Sequence, residues 1–200
     1  MIVKRLLKSC ASPPVSCPTP SNLAAAGAAR EAGNSPNTVM AAAAAIIGPG
    51  RVERTMMCAK VLIDLFAAAG LKDAQSESFN AYSVETTEAA RTLFLASPAE
   101  ASDPRPEAML QAVGDRGARS VFLDYLKALG ARPSRDAVLA AITTTIAWGP
   151  LMRKRISRIT AESLPWYLRL YGVMIGASIP DLHHKSGSLW GISRQERFSK

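Results

Sequence analysis

Residues 151–172, LMRKRISRITAESLPWYLRLYG, gather the side chains of this chain best suited to meeting a charged partner. Arg153, Lys154, Arg155 and Arg158 precede Trp166, Tyr167, Arg169 and Tyr171, and Glu162 is the one carboxylate among them. Guanidinium and ammonium groups neutralise phosphates, and neighbouring aromatic rings offer faces on which bases stack. Cations followed by aromatics therefore suit a single-stranded polyanion. A plainer reading stands beside this one. On a helix the consecutive Arg153, Lys154 and Arg155 fan around the circumference, Arg158 and Glu162 have the i,i+4 spacing of an ordinary surface pair, and Trp166 and Tyr171 also suit a packed core.

The charge of the chain is unevenly distributed. Its 24 basic and 16 acidic residues leave a net +8. Residues 51–150 hold 11 basic and 12 acidic side chains, whereas residues 151–200 hold 9 basic and 3 acidic ones. Residues 1–50 carry 4 basic side chains and 1 acidic one, so the surplus lies at the two ends. Arg outnumbers Lys by 16 to 8. Planar forks favour phosphate or carboxylate contact, although a GC-rich coding bias explains the ratio about as well.

No constellation supports catalysis. His183-His184 lies beside Asp181, but adjacent histidines on a regular element point apart, and no second ligand pair has metal spacing. Ser186-Gly187-Ser188 lacks the strand and helix of a nucleophile elbow. Gly48-x-Gly50 lacks the third glycine of a dinucleotide loop. Cys10, Cys17 and Cys58 are odd in number and fit no zinc or disulfide framework, which points to a reducing compartment. We therefore expect no enzyme, no metal and no cofactor. No apolar run reaches the roughly 20 residues needed to span a bilayer, so a soluble protein is expected.

The elements that must position the basic segment read as helices. Alanine is abundant, at 34 residues, and β-branched residues rarely alternate with polar ones. Asn37 or Ser35 caps a helix through Ile47 that stops at Gly48-Pro49-Gly50. Residues 51–69 form the clearest helix, with Val52, Met56, Ala59, Leu62, Ile63 and Phe66 at steps of three and four and Met56-Met57 as core filler. After a polar connector at 72–82, a helix runs from Ser83 through Leu95, and 97–106 reads as a linker or exposed loop. Pro106 opens a short helix to Val113; 118–129 follows, with Val121, Phe122, Tyr125, Leu126 and Leu129 on one face. Ser134 with Asp136 opens a helix to Ala147 or Trp148, which Gly149-Pro150 ends. Ser163 caps the last helix, with Pro165 in its first turn, to about Ala177.

The expected fold is all-α, an irregular bundle of seven or eight helices with no convincing strand. It comprises a flexible basic Pro/Ser-rich arm at 1–34, a helical domain at 35–178 and a C-terminal tail at 179–200. The acid-free N-terminus supports two readings, a disordered basic arm or a mitochondrial presequence. The arm is preferred, because Lys dominates there and MIVKRLLKS is barely two helical turns.

Several short motifs follow one another in a familiar order: Leu126-Lys127-Ala128-Leu129-Gly130, then a helix with Arg169-Leu170-Tyr171, then Trp190-Gly191 and Arg197-Phe198. This order resembles the C-terminal half of coat proteins from flexuous filamentous plant and fungal RNA viruses, over residues 118–200. The family's acidic partner for an RNA-side Arg and its further Phe residues are missing here, as is the Gly-Ser-Ser loop between the two matched helices, and the spacing from Tyr171 to Pro180 is shorter. Pro, Ala and Ser together make 66 residues, a composition similar to that of the Pro-Ala-Ser-rich proteins that coat some fungal viral genomes. The resemblance implies an all-helical protein that coats single-stranded RNA in a helical array.

The expected function is a single-stranded-RNA-binding nucleoprotein or coat protein that packages RNA without reading its sequence. It self-associates through its N-terminal arm or C-terminal tail, in a virion or the host cytoplasm. The expected RNA-contacting residues are Arg153, Lys154, Arg155, Arg158, Trp166, Arg169, Tyr171, Arg194 and Arg197. The alternative is an imported mitochondrial helical subunit that binds a protein partner or anionic lipid.

Overall fold

The computed structural model describes residues 21–47, 50, 52–75, 84–178, 188–189 and 192–193. The expectations for the first 20 residues, for His183 and His184, and for Arg194 and Arg197 lie outside the described residues. The fold is all-α. Among the described residues there are eight α-helices: α1 (Ser21–Glu31), α2 (Pro36–Ala45), α3 (Glu53–Ala68), α4 (Glu88–Phe94), α5 (Arg105–Gly114), α6 (Val121–Ala128), α7 (Arg135–Met152) and α8 (Arg158–Ser178). No strand was expected, yet β1 (Ser188–Leu189) and β2 (Ile192–Ser193) pair antiparallel, Ser188 opposite Ser193 and Leu189 opposite Ile192.

The chain divides into two units. One comprises Met1–Gly48 with Leu168–Lys200, the other Pro49–Tyr167. The expected single domain at 35–178 is thus split, and α8 contributes its first ten residues to one unit and the rest to the other. Nor does the helical part begin at residue 35, because α1 occupies Ser21–Glu31 within the stretch read as an arm. Its alanines explain the helix: they keep full helix propensity while the small side chains let a neighbouring helix approach. α1 packs on α2, with Ala26, Val39 and Ala43 buried. The Ser35 hydroxyl caps α2 at the Thr38 amide. In the same unit the Arg30 guanidinium donates to the Ala177 carbonyl at 2.5 Å and so serves the C-terminal end of α8.

In the Pro49–Tyr167 unit, α7 is the shared packing surface for α3, α4, α5 and α6. Residues 137–152 carry no charge, and a helix apolar on every side must be covered. Phe66 of α3, Phe122 and Tyr125 of α6, Phe94 of α4 and Trp148 of α7 meet edge to face, with centroids 5.0–5.9 Å apart. Such pairs add roughly 0.5–1.5 kcal/mol each beyond the area they bury. The expected face of α3 is buried at Val52, Ala59, Leu62, Ile63 and Phe66, with Thr55 and Cys58 beside them. Met57 departs from its reading as core filler. It is 50 % exposed, since it lies on the side of α3 away from this face.

Helix boundaries move at α4 and α7. α4 starts at Glu88 and not at Ser83, because the Thr87 hydroxyl caps it at the Ala90 amide. Residues 97–106 are held in place: Ser97 and Glu100 form a reciprocal capping box around a single 3-10 turn at Pro98–Glu100. α7 runs through Gly149-Pro150 to Met152. Pro150 deprives the Ile146 carbonyl of its helical donor, but on the open side of the helix and within the final turn, while Ala147 and Trp148 hold the opposite side in the core.

Arg54 fastens the segment after α4. Its guanidinium donates to both Glu100 carboxylate oxygens at 3.1 and 3.0 Å, and to the Leu93 and Leu95 carbonyls, the latter at 2.7 Å. Partial burial pushes the Glu100 carboxyl upward, but hydrogen bonds from the Ser97 amide, from Arg54 and from the Ser97 hydroxyl outweigh it and leave its pKa below 4.5. A carboxylate with a depressed folded pKa contributes stability above its unfolded value and loses it as pH falls through the folded one. Glu100→Gln is therefore expected to cost about 1 kcal/mol near neutral pH, discounted for partial exposure. It should also flatten the decline in stability below pH 4.5 that urea titrations of the unaltered chain would show.

The hydroxyl of Thr144 and the indole N–H of Trp148, both buried on α7, have no hydrogen-bond partner among the described residues. A buried hydroxyl without a partner carries its desolvation cost unrelieved. Thr144→Val, which keeps the shape and removes the hydroxyl, should leave stability unchanged or raise it by up to about 1 kcal/mol, read as the urea midpoint.

Candidate nucleic-acid interface at the turn between α7 and α8

Two helix ends create the candidate site. α7 closes when the Arg153 amide donates to the Gly149 carbonyl at 3.1 Å, the Lys154 amide to Leu151 at 2.9 Å and the Arg155 amide to Pro150 at 2.9 Å. α8 opens when the Ser157 hydroxyl accepts from the Thr160 amide at 3.1 Å. Ser157, not Ser163, is thus the cap, and Pro165 lies in the helix interior as its eighth residue. The five residues between the helices hold three cations on a short exposed turn.

Arg153, Lys154 and Arg155 are all exposed. Among the described residues, no ion pair engages any of the three. Arg153 lies back along α7 over Gly149, where a β-carbon would come within 3.1 Å of its Nη2. The glycine therefore gives the guanidinium room and does not stop the helix. Part of the clustering has a local cause, because the carbonyl end of an 18-residue helix carries partial negative charge and attracts cations. That attraction is worth about 0.3–1 kcal/mol per exposed cation and leaves their outward hydrogen-bonding capacity unused.

Arg158 behaves differently. It sits in the first turn of α8, where a cation opposes the helix dipole. Its guanidinium is held by Glu162, at 2.7 Å from Nε, and by Asp64 of α3 through Nη2. Those two carboxylates, Glu162 first, raise its pKa above the ordinary arginine value. This corrects its expected role as a phosphate contact, since two carboxylates of its own chain already neutralise it.

The aromatic part of the expectation divides as well. Trp166 is half-buried, whereas the adjacent Tyr167 is 45 % exposed. Tyr167 is the ring more open to a stacking base, and it was missing from the expected contacts. The spacing of the buried Ala161 and Pro165 on α8 would have put it on the open face. Arg169 and Tyr171 belong to the other unit. Arg169 is half-buried and engaged in interactions of its own, and Tyr171 is exposed. The expected cations that the turn brings together, exposed and without an ion pair among the described residues, are thus Arg153, Lys154 and Arg155. Met152 and Ile159 flank it, and Ile159 is 75 % exposed.

Chemistry of other kinds finds little here. The Cys58 thiol is buried, and that burial, reinforced by the Asp136 charge, pushes it up to about 12, so it remains a protonated core side chain. Among the described residues no group of His, Cys, Asp and Glu could hold a metal ion, and no helix is long and apolar enough to cross a membrane. Comparison with protein-family models, curated proteins and solved structures found no match for this chain.

The double ion pair of Arg158 is exposed and screened by solvent, so its energetic weight is small. Arg158→Ala is expected to change the unfolding free energy by no more than about 1 kcal/mol in urea denaturation.

Proposed function

We propose that this protein binds single-stranded RNA without sequence preference through the turn between α7 and α8, and that it self-associates along the strand as a nucleoprotein or coat protein. The observation that carries the reading is the set of three consecutive exposed cations, Arg153, Lys154 and Arg155, with no carboxylate of the described chain paired to them. Each can neutralise one phosphate, and their arrangement on a turn gives no means of reading base edges. Exposed Met152 and Ile159 beside them, with Tyr167 further along α8, provide apolar and aromatic surface for unstacked bases. A bare polyphosphate would have no use for that surface, which favours a nucleic acid.

The resemblance to flexuous-virus coat proteins supports the same reading from the motifs at 126–130 and 169–171. Self-association belongs to the proposal because a coating protein must also meet its neighbour, and the terminal segments before residue 35 and after residue 178 are the proposed means. A virion or host cytoplasm is the corresponding location.

The test is fluorescence anisotropy with a labelled oligouridylate of about twelve nucleotides. Three phosphate contacts to a single strand give a slope of about −2 in log affinity against log salt. Raising salt from about 50 to about 200 mM should therefore weaken binding roughly 20-fold. Replacing Arg153, Lys154 and Arg155 together by Ala should abolish binding while far-UV circular dichroism stays unchanged. Equal binding before and after that replacement rules the reading out. Negative-stain images with RNA should show filaments or beaded strands, and their absence at saturating protein would remove the coat function.

A further inference from the structure

Lys154 occupies a backbone position that glycine would fill with less strain. The turn that ends α7 is closed by two main-chain bonds, from the Arg155 amide to the Pro150 carbonyl and from the Lys154 amide to the Leu151 carbonyl. The same paired bonds follow α1, α3 and α5, where Gly33, Gly70 and Gly117 take φ of 73°, 76° and 62°. Lys154 has φ 54° and is the only non-glycine with positive φ among the described residues. In that left-handed conformation a β-carbon crowds the following carbonyl oxygen. Main-chain atoms make both closing bonds, so the turn forms without any side chain at 154.

Within the described chain little offsets this strain. The Lys154 side chain is exposed and no ion pair engages it. The partial negative charge at the end of α7 offers some compensation, but Arg153 and Arg155 stand on either side and already supply cations to it. Strain of this kind at a non-glycine residue is characteristic of positions whose side chain serves a function.

We infer that Lys154 is the central phosphate contact of the turn, retained in a strained backbone because its ammonium is needed there. The left-handed residue takes its β-carbon out of the helical spiral that carries Arg153. This assignment rests on the polyanion-binding reading of the turn and deepens it by giving the strained Lys154 backbone a role in that contact.

Three single substitutions test it by thermal unfolding and by anisotropy with the same oligouridylate. Lys154→Gly relieves the strain and removes the charge, so the melting temperature should rise by about 3 °C while affinity falls. The salt slope should also shrink by about 0.7, the contribution of one phosphate contact. Lys154→Gln keeps the strained backbone without the charge, and it should lose the same affinity with no rise in melting temperature. Lys154→Arg should retain binding. If the unaltered chain binds RNA and both the Gly and Gln variants keep its affinity and slope, the assignment is overturned while the wider reading survives. If the Gly variant does not melt higher, the strain argument is overturned. If the unaltered chain binds no RNA, the polyanion reading fails and this assignment fails with it.

Discussion

The indole of Trp148, edge-on to Phe122 at 5.3 Å, anchors a helix that carries no charge from residue 137 to residue 152. In the Pro49–Tyr167 unit, α3, α4, α5 and α6 pack against that helix. Phe122 of α6 meets Trp148 directly, and Leu62, Ile63 and Phe66 of α3, Leu126 of α6 and Phe94 of α4 are buried in the helices that pack on it. Burying large apolar side chains contributes roughly 1.5–3 kcal/mol each, which is enough to outweigh local breakers. α7 consequently passes through Gly149 and Pro150 and delivers its last turn to solvent, where the cations begin.

Arginine serves mainly as a fastener in this unit. Arg54 joins the carbonyls at the end of α4 to Glu100, and Arg91 donates to the Leu129 carbonyl at the end of α6. Arg132 meets Glu107 at 2.6 Å, and Arg105 meets Asp103 at 2.7 Å. Each planar fork satisfies helix-end carbonyls or a carboxylate that a single ammonium would serve less completely. The excess of Arg over Lys therefore has a structural cause as well as any functional one. Among the described residues Arg153, Lys154 and Arg155 have no such ion pair, as is also true of the exposed Arg116 and Arg119, but only the first three are consecutive in the chain.

That contrast narrows the functional argument. A +6 block over the last fifty residues is a property of composition, whereas the structure separates cations with partners from cations without them. Arg158 leaves the candidate set because Asp64, ninety-four residues earlier in the chain, lies against it. Tyr167 enters because the turn of α8 faces it outward. Among the described residues the candidate site contracts to one turn, with its apolar flanks in the same short stretch.

Much of the helical architecture was legible in the sequence. Apolar steps of three and four marked α3 and α6, and Ser35 and Ser134 marked the starts of α2 and α7, because these signals are local and act within one turn of chain. The exposed run at 153–155 was legible for the same reason, as consecutive long cations seldom fit inside a core. Tertiary structure alone decided that α7 continues through proline, since the compensating burial comes from α3 and α6. It alone decided that Arg158 is neutralised and that Met57 faces outward, because partners and faces are set by packing between distant segments. The left-handed backbone at Lys154 also belongs to the folded chain, for only the closure of the turn, with no glycine in place, imposes it.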